Sequence, residues 1–242
     1  LYAQTTEMIQ GVEILREGEP LGSFYGLIFD GVVQKNEDVF LLPSTPSYGI
    51  LQPGDPKFRD VSGGNGEPDN HISGAYDRVV LGSKQPDFTY GFSTTFHYKG
   101  FDFYASLQGS QGNKVYNLLR RYLERPTDAY NISATLLNSW TESNPSNTVP
   151  RIVSSPLSSE LDSRYVEDAS YLRLKTVTLG YTIDKFPFVS SGTPMKIRLF
   201  ATAQNLFTLS GYKGYDPEIS GGIDLGTYPM ARTFYIGANV SF

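Results

Sequence analysis

The segment Asp60–Asp69 contains the residues of this sequence that most resemble a metal site. Asp60, Asn65 and Asp69 offer carboxylate and amide oxygens on a glycine-rich backbone, and Ca²⁺ prefers such hard oxygen ligands. The spacing does not supply the bidentate glutamate that strengthens an EF-hand loop. The segment therefore predicts either a structural calcium site or a solvated turn, and no other cofactor is expected.

No group of residues in the sequence predicts catalysis. His71 and His97 each lack a second His or a Cys at the spacing of metal ligands, so both are expected to be ordinary polar side chains. The G-x-S-x-G, H-E-x-x-H and phosphate-loop patterns do not occur, and the carboxylates are too scattered to nominate a glycosidase pair. The sequence therefore predicts a protein that is not an enzyme.

Several aromatic residues lie beside hydrogen-bonding groups in segments without periodicity. An aromatic ring flanked by polar groups can bind a sugar ring or an extended peptide. Such rings can equally pack the loops together or pack on a partner protein. The candidates for a contact with a ligand or a partner are Trp140, Tyr130, Tyr212, Tyr215 and Asp216.

The last nine residues of the sequence alternate between apolar and small or polar side chains. The apolar set is Phe234, Ile236, Ala238, Val240 and Phe242. Period two predicts a β-strand with one apolar face. Such a strand suits either the lipid-facing wall of a membrane barrel or the edge of a soluble sandwich, and the aromatic last residue favours the closing strand of a barrel.

Two further segments show the same alternation. Residues 195–204 predict a strand with Lys196, Arg198 and Gln204 opposite its apolar face. In a barrel these three side chains face a wet lumen, whereas in a sandwich they form the solvated face. Residues 88–108 predict a hairpin around a Lys99-Gly100 turn, with aromatic residues near the turn on both strands.

Other elements are less regular. Tyr165–Ile183 predicts a long strand in which the apolar residues change parity near Lys175-Thr176. This change indicates either a bulge or a strand that rises out of the membrane. Leu21–Val33 and residues 4–14 are expected to form two more strands. Val115–Glu124 predicts a helix with a single apolar face.

The predicted connections are of two kinds. Short ones at 99–100 and 184–193 alternate with long ones at roughly 35–86, 111–164 and 208–230. Outer-membrane barrels have this asymmetry, with short periplasmic turns and longer extracellular loops. Roughly six or seven strands are too few to close such a barrel, and lipid permits no open sheet edge. The chain is therefore expected to be the tail of a longer protein, a cleaved piece of one, or one chain of a multi-chain assembly.

The composition agrees with a barrel and excludes other classes. Aromatic residues make up 14%, mostly Tyr and Phe, as interfacial girdles require. The absence of Cys excludes disulfides, a thiol nucleophile and a Cys-ligated metal. The net charge of −5, without any block of Lys or Arg, argues against nucleic acid as a partner.

Several motifs, spread along nearly the whole chain, resemble those of the SusC-like TonB-dependent transporters in the C-terminal part of their barrel. The matching segments are, in order, Gly18–Gly26 with Asp30–Val32, Pro53–Val61, Asp77–Gly82 with Pro86–Phe92, and Tyr228-Pro229 with Arg232–Phe234 and Phe242. The sequence departs from the family at Ser62 and Gly64, where Asn or Asp is more usual. This departure weakens the calcium interpretation.

The resemblance implies an all-β, antiparallel transmembrane β-barrel of about 22 strands in the bacterial outer membrane. Residues 1–242 would form its C-terminal strands with long extracellular loops, and the plug domain and TonB box of the family are not recognised in this chain. The family imports oligosaccharides or peptides, with a SusD-like lipoprotein as a lid and with energy delivered through TonB. Phe234, Ile236, Val240 and Phe242 would form the signal for barrel assembly.

A soluble, secreted all-β carbohydrate-binding module is the alternative hypothesis. It accounts for the Tyr content and for the alternating segments. It does not account for long loops placed on one side or for an aromatic terminus.

Overall fold

The computed structural model describes residues 7–45, 49–125, 131–153, 160–184 and 195–241. These residues form two compact units. The sheet unit comprises the described residues within 86–112, 169–218 and 228–242, and the loop unit comprises those within 1–85, 113–168 and 219–227.

The described residues contain fourteen strands and one short α-helix. In chain order the strands are β1 (Glu7–Gln10), β2 (Glu13–Arg16), β3 (Ser23–Gly26), β4 (Phe29–Val32), β5 (Pro56–Phe58), β6 (Val79–Ser83), β7 (Phe88–Tyr98), β8 (Phe101–Gln111), β9 (Lys114–Asn117), β10 (Val166–Asp168), β11 (Tyr171–Ile183), β12 (Lys196–Ser210), β13 (Ile223–Asp224) and β14 (Thr233–Ser241). The helix α1 spans Leu118–Leu123, and Val39–Leu41 and Ala134–Asn138 form short 3-10 helices. Within this described part of the chain, no helix has the length and apolar character needed to cross a membrane.

The sheet unit is one five-stranded sheet in the order β14-β12-β11-β8-β7, and all its pairs are antiparallel. β7 and β8 pair over all eleven residues of each strand. The turn between them has positive φ at Lys99 (45°) and Gly100 (86°), as a type I′ hairpin requires. The structure therefore confirms both the predicted hairpin and the predicted all-β antiparallel class.

A bulge adjusts the middle of this sheet. The register of β11 shifts between Leu174 and Thr176 against both β8 and β12. β12 is also irregular at this level, because its pairing with β11 passes from Phe207 to Gln204. Asn205, between these two residues, has a positive φ of 51°. An extra residue reverses the parity of a strand, so Val177 returns to the face that carries Leu174. The predicted bulge is thus confirmed.

Two predicted strands are divided in the structure. Leu21–Val33 forms β3 and β4 rather than one strand, because the Leu27 amide donates to the Leu161 carbonyl at 2.9 Å instead of continuing the first ladder. Tyr165–Ile183 forms β10 and β11, because Val166–Asp168 pairs with β9 in the loop unit. In both cases the backbone forms hydrogen bonds with a segment that is distant in sequence. A local pattern of residues cannot reveal such a pairing.

The predicted helix Val115–Glu124 is also corrected. Lys114–Asn117 forms β9, which pairs antiparallel with β10 and parallel with β13. Asn117 then caps α1, since its Oδ1 accepts the Arg120 amide at 2.9 Å. Likewise, the strand predicted at 4–14 is not continuous: its described part forms β1 and the first residues of β2, which pair as a hairpin, and residues 4–6 lie outside the described residues.

The loop unit has its own small cores. β1-β2-β3-β6, β4-β5 and β10-β9-β13 are its three sheets. Among its described residues, some of the buried apolar side chains form two clusters, Phe24, Tyr116, Leu161 and Tyr165 in one, and Leu27, Val33, Leu51, Phe58 and Ile72 in the other. The segments predicted as long connections at 35–86 and 111–164 therefore contribute strands and buried side chains to a folded unit.

Candidate functional site

The two faces of the five-stranded sheet differ in chemistry, and we treat them as the candidate functional site. The register places the large apolar side chains on one face, among them Phe92, Phe96, Phe103, Leu174, Val177, Leu179, Leu199, Phe207, Phe234, Ile236 and Val240. Many are exposed; Phe92 is 62% exposed and Ile236 87%. A water-facing sheet rarely exposes so continuous an apolar surface, whereas the outer wall of a membrane barrel requires one.

Aromatic pairs lie at both ends of this apolar face. The ring centroids of Phe88 and Tyr90 are 6.0 Å apart at one end, and those of Phe101 and Tyr181 are 4.6 Å apart at the other. From Phe88 to Tyr98 the chain rises about 33 Å along the strand, or about 25 Å along the axis of a barrel with strands tilted by ~40°. That height matches the apolar band of an outer-membrane barrel, which is about 25 Å tall and bordered by aromatic girdles.

One aromatic ring on the apolar face fills the gap above a glycine. A Cβ atom at Gly109 would lie 2.3 Å from Cζ of Tyr90, so the ring occupies the space that a side chain would take. The Tyr90 hydroxyl donates to the Tyr171 carbonyl at 3.2 Å. The tyrosine thereby connects β7, β8 and β11 through one contact.

The opposite face of the sheet is polar. One row of cross-strand neighbours consists of Thr95, Tyr104, Thr178, Thr202 and Tyr235. The two central threonine hydroxyls lie 2.9 Å apart. Hydroxyl rows suit a water-filled space, because each hydroxyl both donates and accepts a hydrogen bond.

The predicted cations also lie on the polar face. Arg198 makes a two-point pair with Asp102, with Nε–Oδ1 at 2.8 Å and Nη2–Oδ2 at 2.5 Å. The Lys196 side chain is 57% exposed and its Nζ lies 3.5 Å from an oxygen of Asp184. Gln204 is half-buried in the row that pairs with Thr233.

A buried arginine near the other end of the polar face was not identified from the sequence. Arg173 is 1% exposed, and its Nη2 donates to Asp216 Oδ1 at 2.6 Å and its Nη1 to Glu218 Oε2 at 2.8 Å. Its Nε donates to Thr208 Oγ1 at 2.9 Å. The alternation of its neighbours places Arg173 on the polar face, but its carboxylate partners lie more than 40 residues away, at separations of 43 and 45.

The predicted aromatic candidates have different environments. Trp140 is 8% exposed in the loop unit, where its Nε1 donates to Gln34 Oε1 at 3.1 Å. Of the three roles considered for it, this burial agrees with packing the loops together. In the sheet unit, Tyr212 and Asp216 are buried, whereas Tyr215 is 66% exposed. Tyr130 lies outside the described residues.

The Asp60–Asp69 segment is an ordered turn. Asp60 accepts the Asn70 amide at 2.5 Å, and Asp69 accepts the His71 amide at 3.0 Å, while Asn65 is exposed. Among the residues that the structure describes, no three His, Cys, Asp or Glu side chains are grouped as metal ligands. Calcium binding by Asp60, Asn65 and Asp69 therefore stays a prediction.

The order of this turn comes from a residue outside the predicted site. Asp77 is fully buried, and its carboxylate accepts the amides of Val61 at 2.8 Å, Ser62 at 3.2 Å and Ser73 at 2.7 Å. A buried carboxylate is stabilised by backbone donors of this kind. Asp77 thus ties the start of the segment to Ser73, four residues beyond its end.

Part of the predicted assembly signal is visible on β14. Phe234, Ile236 and Val240 are all exposed on the apolar face of the sheet. Phe242 lies outside the described residues. The role of these residues in barrel assembly stays a prediction.

The loop unit contains a stack of alternating aromatic rings and guanidinium groups. The Arg164 guanidinium carbon lies 4.4 Å from the ring centre of Phe29 and 5.1 Å from that of Tyr165, and Arg120 lies 5.5 Å from Tyr165 on the same stack. Arg164 donates from Nε and Nη2 to the fully buried Asp162, at 2.9 and 2.7 Å.

Burial and charge act together on the groups of this stack. Burial by itself lowers the pKa of Arg164, but its pair with Asp162 raises that pKa above the ordinary arginine value. Burial raises the pKa of Tyr165 to about 12, with Asp162 and Glu124 adding to the rise and Arg164 opposing it. At neutral pH the stack therefore contains charged arginines and a neutral tyrosine.

The sequence is similar to those of TonB-dependent receptors. It is 37% identical over 242 residues to TonB-dependent receptor P3 of Formosa agariphila, covering 95% of this chain and 23% of the relative. It is 34% identical over 169 residues to TonB-dependent receptor SusC of Bacteroides thetaiotaomicron, covering 69% of this chain and 16% of that receptor. No family model matches the sequence.

The fold is similar to that of solved importers. The RagAB peptide importer in its 'open-open' state superposes with a TM-score of 0.79 at 26% identity, covering 100% of this chain and 25% of that one. Its 'closed-closed' state superposes with a TM-score of 0.74. The chain spans about a quarter of the length of these relatives. By its sequence and its partial-barrel fold, the chain belongs to the SusC-like TonB-dependent receptors.

Proposed function

We propose that this chain forms part of the wall of an outer-membrane active transporter that imports oligosaccharides or peptides. The observation that carries the proposal is the five-stranded sheet, which is apolar and exposed on one face and polar on the other. The apolar face contacts lipid, and the polar face lines the passage. The similarity to SusC and to the RagAB peptide importer supports this assignment.

On this proposal, Lys196, Arg198 and Gln204 are lumen-facing residues. Arg198 is engaged by Asp102, whereas the Lys196 side chain is 57% exposed and so remains accessible to a plug or a passing solute. Charges that line a passage tune which solutes enter it. The lumen therefore combines rows of hydroxyls with a few fixed charges.

The proposal extends to partners that lie outside this chain. Residues 1–242 would be the C-terminal part of the receptor barrel, and the plug and the TonB-binding segment would be supplied by the rest of the receptor. A SusD-like surface lipoprotein would cover the outer opening. The long connections of the barrel would face that lid, because the longer loops of an outer-membrane barrel are extracellular.

Fractionation of cells that produce the full-length receptor tests the location. We expect the receptor in the membrane fraction, released by detergent and not by salt. Recovery of the intact protein from the aqueous periplasmic or secreted fraction would instead support a soluble carbohydrate-binding module. Uptake of labelled oligosaccharides and labelled peptides, each measured with and without TonB, then separates the two substrate classes.

A further inference from the structure

After β12 ends, the connection to β14 passes across the polar face of the sheet. Glu218, eight residues beyond the end of β12, contacts Arg173 on β11 and lies 3.4 Å from Gln108 Nε2 on β8. Thr208, Arg173 and Gln108 are cross-strand neighbours in one row of the sheet. Asp216 and Glu218 therefore lie over this row, and we call residues 212–218, which contain them, the crossing limb.

Asp216 joins the crossing limb to the returning part of the connection. Its Oδ1 accepts from Arg173 at 2.6 Å and from the Glu218 amide at 2.9 Å, and its Oδ2 accepts the Met230 amide at 3.3 Å. Burial by itself raises the pKa of Asp216, but the Glu218 amide and the Arg173 guanidinium outweigh it and lower that pKa. The carboxylate is therefore ionised at neutral pH.

Release of the crossing limb would leave a cation without its partners. Arg173 is 1% exposed, and all three of its guanidinium nitrogens are bonded. Removing one partner from a buried ion pair is strongly destabilising, because the remaining charge is neither paired nor hydrated. Movement of the limb away from the sheet is unfavourable for the same reason.

We propose that Arg173 anchors the crossing limb as a fixed constriction of the passage, so that transport proceeds without release of this limb. The proposal rests on the proposed transport function for its meaning, but the anchor itself can be tested separately. Arg173 acts here as a positioning residue, because it acts through Asp216 and Glu218.

Trypsin cleavage after Lys213 tests the anchor. Lys213 lies in the crossing limb and is exposed, so its peptide bond resists the protease only while the backbone is held. In the full-length receptor, Arg173→Met should accelerate this cleavage several-fold. Arg59→Met, which removes an exposed pair with Asp30 at 3.2 Å, is the matched control and should leave the rate unchanged. Equal rates in the two variants would overturn the anchor.

A cross-link tests whether the limb moves during transport. This chain contains no Cys. The double substitution Gln108→Cys and Glu218→Cys therefore introduces one defined pair of thiols, and any cysteines elsewhere in the receptor are replaced by Ser. Because Glu218→Cys also removes one partner of Arg173, uptake is compared in the same double-Cys receptor before and after bridging. Bridging with a short bifunctional thiol reagent holds the limb covalently and should not lower that uptake. Loss of uptake on bridging, restored by a cleavable reagent, would show that the limb must be released and would overturn the proposal.

Permeability of intact cells to a large antibiotic provides a third readout. Arg173→Met should raise sensitivity to vancomycin several-fold, because a released limb widens the opening, whereas Arg59→Met should not.

A receptor that takes up no substrate before cross-linking would refute the proposed transport function. The trypsin result would still decide whether Arg173 anchors the limb.

Discussion

Asp102 and Arg198 form a two-point ion pair that bridges the strand between them. Asp102 lies on β8 and Arg198 on β12, and their side chains meet above Gly180 of β11. A Cβ atom at Gly180 would lie 2.4 Å from one carboxylate oxygen of Asp102 and 2.7 Å from Nη2 of Arg198. The pair therefore depends on a glycine at this position of the central strand.

Gly180→Ala should weaken the sheet by removing this pair. The new methyl group would displace the carboxylate and the guanidinium, and a partly exposed two-point pair is worth about 1 kcal/mol. Gly91→Ala is the matched control, since its Cβ would meet nothing closer than the Leu107 carbonyl at 3.8 Å. The melting temperature of the full-length receptor should fall for Gly180→Ala and should stay equal or rise for Gly91→Ala.

A double-mutant cycle assigns the effect to the pair. In a receptor that already carries Asp102→Ala, the alanine at Gly180 has no ion pair left to displace, so its additional effect should be small. An undiminished effect in that background would mean that Gly180 acts through the backbone rather than through Asp102 and Arg198.

Two adjacent threonines on β7 distinguish the lipid-facing side from the lumen-facing side. Thr94 pairs with Ala105 on the apolar face, and Thr95 pairs with Tyr104 on the polar face. Both lie midway between the aromatic ends of the strand. An Arg at the midplane of a lipid face costs about 2–4 kcal/mol, whereas a lumen position tolerates charge. Thr94→Arg should therefore reduce the amount of folded receptor in the outer membrane, and Thr95→Arg should leave it nearly unchanged.

Heat-modifiable migration of the receptor on gels measures the folded fraction for this pair of variants. The two substitutions are chemically identical and differ only in the face that receives the charge. If both reduce folding equally, the sheet does not separate lipid from water. If Thr95→Arg alone reduces it, the assignment of the two faces is reversed.

The alternation of side chains was sufficient to predict strands at the positions of β7, β8, β11, β12 and β14, because a strand with one apolar face and one polar face has a period of two. It did not predict their order in the sheet. Lys196, Arg198 and Gln204 could be placed on the polar face by parity alone. The same parity places Arg173 there, but nothing local marks it as buried or as paired with Asp216. Parity identifies the face of a residue and not its partner.

The loop unit was less accessible to prediction, because its short strands pair with segments that are distant in sequence. Val166–Asp168 joins β9 about 50 residues earlier, and Leu27 turns away to reach Leu161. A strand of three or four residues has too few alternations to show a period. Similarly, the burial of Trp140 depends on its contact with Gln34, which lies 106 residues away.

Asp162→Asn should destabilise the loop unit. The carboxylate is fully buried and binds Arg164 at two points, so its loss leaves a largely buried guanidinium without its counterion. Breaking a buried pair in this way costs about 3–5 kcal/mol. Glu142→Gln is the control: it removes a pair with Lys35 in which the side chains are 68% and 66% exposed, so little stability should be lost.

Protease resistance as a function of temperature measures this difference in the full-length receptor, since it reports on the loop unit even while the barrel stays folded. Asp162→Asn should lower the temperature at which trypsin begins to cut within residues 113–168. A variant that resists cleavage as well as Glu142→Gln would show that the Arg164 pair does not hold the loop unit together.

The stability of the loop unit should decline at high pH because of Tyr165. Burial raises the pKa of its hydroxyl to about 12, above a value of about 10 for an unfolded tyrosine. Between these two pH values, Tyr165 has lost its proton in the unfolded chain but keeps it in the folded one. The contribution of Tyr165 to the free energy of unfolding is therefore fully present below pH ~10, and it is lost as the pH rises through about 12. Tyr165→Phe removes the titrating group and should flatten this decline, whereas Tyr228→Phe, at a position that is 89% exposed, should leave it as steep as in the wild type. Trypsin resistance after incubation across this pH range, with digestion at a common lower pH, measures the slope. Equal slopes for Tyr165→Phe and wild type would assign the alkaline sensitivity to other groups.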